Sequence, residues 1–347
     1  MAIQKFSIAK NDDIYEAFPD LVLTDDNQLI TVFLECKHHS DRSYTRVMMS
    51  KSIDRGRTWN EKQPFTGPSY DKSDSWNCPR ISKMKNGTLA VLVDKPEFNE
   101  NSNGRTFLWL GDQYGKDWSE AILLPSNGIV PDRLLETAKG RWIISAHHKN
   151  EKGFLTQKMW FSDDKGITWS PEITIAEQEN FNFCEGSIIE VEENVLICFL
   201  RENSGRGDDC YKCISYDNGE TWEGAYAMPI PACHRPVAGQ LNSGYYMITH
   251  RYMQGGKGWV GFWTQNVFAA FMNKESLLAK ERNQQASRII PLDYDRSPVS
   301  DIGYSGWVQF DDGEIYVAYY IVDDSPNGQI RGISFTEDDV IIGGFAK

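Results

Sequence analysis

Glu185, Arg201, Arg235, Arg251 and Tyr304 are residues whose types and spacing could do chemistry in this chain. Guanidiniums can hold an anion, and a carboxylate beside a phenol can take up its proton. Their positions come from a simple count. Nine residues before the turn Gly or Asn of six successive hairpins stand Phe18, Cys78, Pro131, Glu185, Arg235 and Tyr304. Seven residues after it stand Leu34, Asp94, His147, Arg201, Arg251 and Tyr320. The strand interiors are apolar, yet these ends carry Glu, Asp, His, Arg and Tyr. A buried polar group without a partner costs several kcal/mol. A convergent ring of them therefore points to a water-filled or ligand-filled site. Ion pairs between neighbouring units around a wet channel would use the same residue types.

The elements that position these residues follow from a repeat. Ser-x-Asp-x-Gly-x-Thr-Trp occurs at Ser52–Trp59, Ser162–Trp169 and Ser215–Trp222, with a worn copy at Gly111–Trp118. The closing tryptophans at 59, 118, 169 and 222 set a period of roughly fifty residues, which is propeller spacing. Upstream of each box, two apolar stretches flank a turn: Asp26-Asn27, Asn86-Gly87, Lys139-Gly140, Glu193-Asn194, Ser243-Gly244 and Asp312-Gly313. Each reads as a hairpin, the first two strands of a blade. The sequence thus predicts an all-β fold: one six-bladed β-propeller of four-stranded antiparallel blades over residues 1–347. The blades fall near 14–65, 74–125, 128–178, 182–231, 233–293 and 300–342. A strand at 4–8 could close the ring by pairing with the last blade. The fifth blade has no box; a segment around Ala270 to Gln285 replaces it. The boxes themselves read as structural, their Ser and Asp bonding turn backbone and their Trp packing between sheets. They lie on the face opposite the polar ring.

A formal charge of -13 argues against nucleic acid or an anionic membrane surface as main partner. No run of 18 apolar residues exists to span a membrane. The first residues lack the apolar run of a signal peptide, which fits a cytoplasmic protein or an exported one whose leader has been removed. Seven cysteines without paired spacing do not form a disulfide framework. Cys210 and Cys213 make a lone CxxC without metal-site partners. Asp208-Asp209 and Asp323-Asp324 lack the spaced ligands of a Ca2+ loop. No cofactor or metal is expected.

The boxes resemble the bacterial neuraminidase repeats, or Asp-boxes, of the sialidase superfamily. Two further stretches carry that resemblance. Cys184-Glu185-Gly186-Ser187-Ile188-Ile189-Glu190-Val191 with Leu200-Arg201 is similar to the segment holding the family's Glu and one carboxylate-binding Arg. Gly303-Tyr304-Ser305-Gly306 is similar to the segment holding its tyrosine nucleophile. The resemblance implies a retaining exo-glycosidase for a terminal acidic sugar on a glycan or glycoconjugate. Tyr304 would attack with Glu185 as its base, and Asp41, in the loop His38-His39-Ser40-Asp41-Arg42, would be the acid/base. A tyrosine with a pKa near 10 needs such a base, and a neutral phenol meets an anionic sugar with little repulsion. Where the family opens blade one with Arg-Ile-Pro, this chain has Ala17-Phe18-Pro19-Asp20. Arg201, Arg235 and Arg251 are the expected carboxylate ligands, with Arg80 a further candidate. His147, His234, Asp94 and Tyr320 complete the expected substrate-binding set. The histidines leave open a uronate- or rhamnose-directed hydrolase or lyase. The missing arginine leaves open a glycan-binding propeller without catalysis.

Overall fold

The computed structural model describes residues 3–97, 103–253 and 263–340; residues 341 and 342, at the end of the predicted sixth blade, lie outside them. Six four-stranded antiparallel sheets are arranged as a β-propeller. Blade one is Tyr15–Leu23, Leu29–His38, Asp41–Ser52 and Gln63–Pro64; blade two is Arg80–Lys83, Leu89–Pro96, Gly104–Gly111 and Ile122–Leu123. Blade three is Leu135–Glu136, Trp142–Lys149, Leu155–Ser162 and Ile173–Ala176. Blade four is Phe183–Glu192, Val195–Glu202, Tyr211–Ser215 and Glu223–Ala227. Blade five is Cys233–Gln240, Tyr246–Met253, Gln265–Met272 and Arg288–Tyr294. Blade six is Ile302–Gln309, Ile315–Ile321 and Gln329–Phe335, with Gln4–Ala9 as its outermost strand. That last pairing, Gln4 opposite Ser334 and Phe6 opposite Gly332, staples the start of the chain to the final blade. It removes an exposed edge that would otherwise be open to pairing.

Local chemistry explains the hairpins. All six turn residues, Asn27, Gly87, Gly140, Asn194, Gly244 and Gly313, take φ between 61 and 91°. Only glycine and, next best, asparagine adopt this region cheaply. The strands then run apolar into a core packed between adjacent blades.

Each full box is a closed set of hydrogen bonds. In the third, Ser215 Oγ donates to Asp217 at 2.7 Å and accepts from Gly219 N at 2.9 Å. Asp217 in turn accepts from Thr221 N at 2.9 Å. The first box repeats the pattern, and Trp59 packs beside Tyr316 of blade six at 6.1 Å between ring centroids. In blade five a short helix, Lys274–Leu278, capped by Asn273, stands in the place of a box. Removing the buried Ser215 hydroxyl as Ser215→Ala is expected to cost about 1–2 kcal/mol. Urea unfolding measures this, and ligand affinity at the far face should not move.

The seven cysteines are buried free thiols. Cys210 and Cys213 belong to different core clusters. Among the described residues, no group of three or more His, Cys, Asp or Glu could hold a metal ion, and no helix is long and apolar enough to cross a membrane.

Candidate active site

The first strand of each blade faces the axis, and in most blades its entry is kinked. Phe18, Glu185, Arg235 and Tyr304 all have positive φ, at 56, 51, 49 and 28°. At each the ladder register breaks, resuming at Asp20, Ser187, Val237 and Ser305. A bulge of this kind re-aims a side chain out of the alternating pattern. Left-handed backbone in bulky residues persists only where surrounding structure over-determines it, typically at functional sites. Blade three differs by one residue: Val130, not Pro131, carries the positive φ of 52°. The proline ring fixes its own φ near -65°, so the preceding residue must make the kink.

The kinks bring three distant segments together. Tyr304 Oη donates a short hydrogen bond to Glu185 Oε1. Arg201 Nη1 donates to the same oxygen at 2.7 Å, and its Nη2 reaches Asn203 Oδ1 at 2.6 Å. Arg201 stands opposite Cys184 in the ladder, beside the kink, and Arg251 stands opposite His234 in the same way. The guanidiniums of Arg235 and Arg251 lie 5.6 and 5.5 Å from the Tyr304 ring centroid. Phe18, at 5.0 Å between centroids, packs against the same ring.

A second network centres on Asp301, which the register count did not single out. Asp301 accepts from Tyr320 Oη at 2.7 Å and from Tyr15 Oη at 2.5 Å. His39 Nδ1 lies 2.5 Å from Oδ2, the oxygen that Tyr15 also binds, and Arg251 Nη1 is 3.8 Å from Oδ1. With two phenols already donating, His39 acts there as a third donor. Arg42, next to the loop aspartate, stacks its guanidinium 4.9 Å from the Phe18 ring and donates Nε to His39 O at 3.0 Å. Its Nη1 is buried without a protein acceptor.

Comparisons with known proteins place the fold. A model of the BNR repeat-like domain matches residues 45–317. The chain belongs to this family. A sialidase of Clostridium perfringens is 24% identical over 244 residues, covering 60% of this chain and 60% of that one. The chain thus spans about three fifths of the curated relative it matches. A solved structure of a protein of unknown function from Dyadobacter fermentans superposes with a TM-score of 0.78 at 19% identity, over 96% of this chain and 98% of that one. Trypanosoma rangeli sialidase in complex with sialic acid gives 0.68 at 16%, over 96% and 59%. The Hadza microbial sialidase Hz136 gives 0.70 at 18%, over 94% and 66%. These likenesses establish a sialidase-like propeller fold.

Within this BNR repeat-like propeller the site is strongly polarised. Burial would raise the Glu185 carboxyl, but Arg201, Arg251, the Tyr304 hydroxyl and Arg235 outweigh it and hold its pKa at about 2. Burial and the Glu185 charge push the Tyr304 phenol well above its ordinary value. The pair is therefore a carboxylate receiving a phenolic hydrogen bond. Burial lowers His147 to about 3, and its Nδ1 accepts from Glu185 N at 3.2 Å, so it is neutral. His234, buried between Arg201 and Arg251, is held well below its ordinary value in the same way.

The remaining expected residues fall elsewhere. Asp94 accepts from Cys78 N, Asn77 Nδ2 and Val130 N at 2.9–3.0 Å, a clamp between blades two and three. Tyr320 belongs to the Asp301 network rather than to the Glu185 pair. Arg80 lies beneath the site, donating to Ser305 O at 3.2 Å. Asp41 is exposed at the hairpin tip, where its Oδ1 accepts from Ser43 N at 2.9 Å. That contact, with the Ser43 hydroxyl, holds its carboxyl below the ordinary value. Asp301, Tyr15, His39 and Arg42 were missed because the count samples one position per strand. The alternative signal was present for two of them, since His39 and Arg42 flank Asp41 in sequence.

Proposed function

We propose that this propeller is a retaining exo-glycosidase of the sialidase type, acting on a terminal acidic sugar. The observation that carries the reading is the Tyr304–Glu185 hydrogen bond with Arg201 on the same carboxylate oxygen. In this reaction the Tyr304 oxygen forms a bond to the anomeric carbon as the bond to the leaving oxygen breaks. The phenolic proton passes to Glu185, and Asp41 protonates the leaving oxygen. Water, deprotonated by Asp41, then displaces Tyr304, which recovers its proton from Glu185. A tyrosine nucleophile is the known departure of sialidases from the two-carboxylate scheme. The relatives named as sialidases support the substrate class; the arginines support it independently. Arg201, Arg235 and Arg251 would hold the sugar carboxylate, and Arg42 brings a further unpaired guanidinium nitrogen from blade one, where position 17 is alanine.

Release of the free sugar from an aryl sialoside, read by mass spectrometry over a panel of terminal acidic and neutral sugars, tests the reading. Absence of turnover on every sugar, with binding retained, would instead favour a glycan-binding propeller. Alanine at position 17 is the observation on that side.

Asp41 gives a sharper test. Its exposed, hydrogen-bonded carboxylate must lose water contact on substrate binding to hold a proton. Asp41→Ala is expected to lower kcat on about 10^2-fold for a poorly departing alcohol and little for a nitrophenol. Equal losses on both leaving groups would remove Asp41 from the acid role.

A further inference from the structure

The copy of the box at Gly111–Trp118 departs from the other three. Gly111 stands where they have Ser, Gln113 where they have Asp, and Asp117 where they have Thr. A Cβ at position 111 would lie 2.7 Å from the Trp118 ring, so the indole lies against the strand where a full box keeps a Ser side chain. Trp118 begins a run of rings along the seam between blades one and two. Its centroid is 5.0 Å from that of Phe65, Phe65 is 5.4 Å from Trp109, and Trp109 is 5.8 Å from Trp76. All four rings are half-buried. The outermost strands of these two blades, Gln63–Pro64 and Ile122–Leu123, have two residues each; those of blades three, four and five have four, five and seven. Strands so short leave the seam uncovered.

A cleft of ≈ 330 Å³ opens there, lined by Phe65, Trp109 and Trp118, with the exposed Asn60, Gln63 and Lys116 at its rim. Its polar groups are placed but not all engaged. Asn60 Oδ1 accepts from Ser50 Oγ at 2.9 Å and from Lys51 N at 2.6 Å, which fixes the amide; Nδ2 meets no acceptor among the described residues. Gln63 Nε2 donates to Glu61 O at 3.3 Å and leaves Oε1 as an acceptor. Trp76 and Trp118 donate Nε1 to Gly67 O and Gly115 O at 3.0 and 3.2 Å, whereas Trp109 Nε1 meets no acceptor among the described residues. Lys51 Nζ is engaged by Tyr114 O at 3.0 Å and Gly115 O at 2.7 Å, so Lys116 is the cleft's one exposed ammonium. The cleft thus offers aromatic surface and neutral hydrogen-bonding groups, unlike the buried arginines at the axis. A pyranose has the matching chemistry. Its apolar C–H face meets the negative face of an aromatic ring, and its hydroxyls need donors and acceptors at the edge.

We propose that this cleft is a second glycan-binding site, for a neutral hexopyranose packed against Trp109 and Trp118 and hydrogen-bonded by Asn60 and Gln63. It lies on the outer seam beside the box turn, away from Tyr304. It is independent of whether the axial site turns over a sugar.

Titration of the full chain with N-acetyllactosamine, a neutral disaccharide that lacks an acidic sugar, tests this. The readout is the set of indole N–H resonances in proton–nitrogen correlation spectra. The Trp109 resonance, assigned by its loss in Trp109→Phe, is expected to move saturably. Asn60→Asp keeps the oxygen that Ser50 and Lys51 bind and removes the free donor. It is expected to weaken binding about tenfold, the worth of one good hydrogen bond. Trp109→Phe, followed through the Trp118 resonance, is expected to weaken it at least as much. Asn60→Asp, a change at an exposed residue, decides the matter should Trp109→Phe fail to fold. A Trp109 resonance that stays fixed, shifts confined to indoles outside this seam, or an affinity unchanged in Asn60→Asp would each overturn the proposal.

Discussion

Tyr304→Phe is expected to abolish turnover, by on the order of 10^4-fold or more in kcat, while the protein stays folded. The phenolic oxygen is the atom that would bond to the anomeric carbon in the proposed reaction. Arg235 and Arg251 flank the ring but cannot act as nucleophiles, since both are cations. Removing the hydroxyl leaves Glu185 Oε1 still bonded to Arg201, so the stability cost should be modest, about 1–2 kcal/mol. The readout is kcat on an activated aryl glycoside beside a denaturant melt. Undiminished activity in the folded variant would sink the nucleophile assignment. If the proposed reaction holds, the wild-type protein incubated with a slow fluorinated substrate should gain one sugar mass on the peptide containing Tyr304.

Glu185→Gln should be damaging in two separable ways. The amide cannot accept the Tyr304 proton, so turnover should fall by a similar factor. It also leaves Arg201, buried and cationic, without its counter-charge. Breaking a buried pair by neutralising one partner typically costs about 3–5 kcal/mol. The pH dependence separates this from a general packing defect. Glu185 has a folded pKa of about 2 against an ordinary value of 4.5. Its contribution is fully present above pH 4.5 and is lost as pH falls toward 2, amounting to roughly 3 kcal/mol. The stability difference between wild type and Glu185→Gln should therefore shrink across that window and stay flat from pH 5 to 8. A difference that does not narrow on acidification would mean that the carboxylate charge is not what stabilises the site.

These predictions rest on residues that the sequence located unequally well. Glu185, Arg201, Arg235, Arg251 and Tyr304 were legible because each sits at a fixed distance from a turn whose glycine or asparagine is itself legible. Asp301 and Tyr15 were not. Their hydrogen bond joins residues 286 apart, and neither stands at the counted positions. Asp94 looked like a site residue by register, yet all its contacts go to main-chain and amide groups holding blades two and three. A count along strands cannot tell a carboxylate aimed at a ligand from one aimed at a neighbouring backbone.

The sequence by itself determined what depends on local geometry. A period of roughly fifty residues, six turns with left-handed residues and alternating apolar stretches fix six four-stranded blades, because each signal acts within a few residues of itself. Tertiary structure decided what depends on ring closure. The Tyr304–Glu185 bond spans 119 residues and exists because blades four and six meet the same axis. The kinks that turn Phe18, Glu185, Arg235 and Tyr304 inward are imposed by neighbours, since no bulky side chain prefers that backbone on its own. Arg42's place over Phe18 and the exposure of Asp41 follow from the same closure. Each is set by which side chains the other blades bring to the axis.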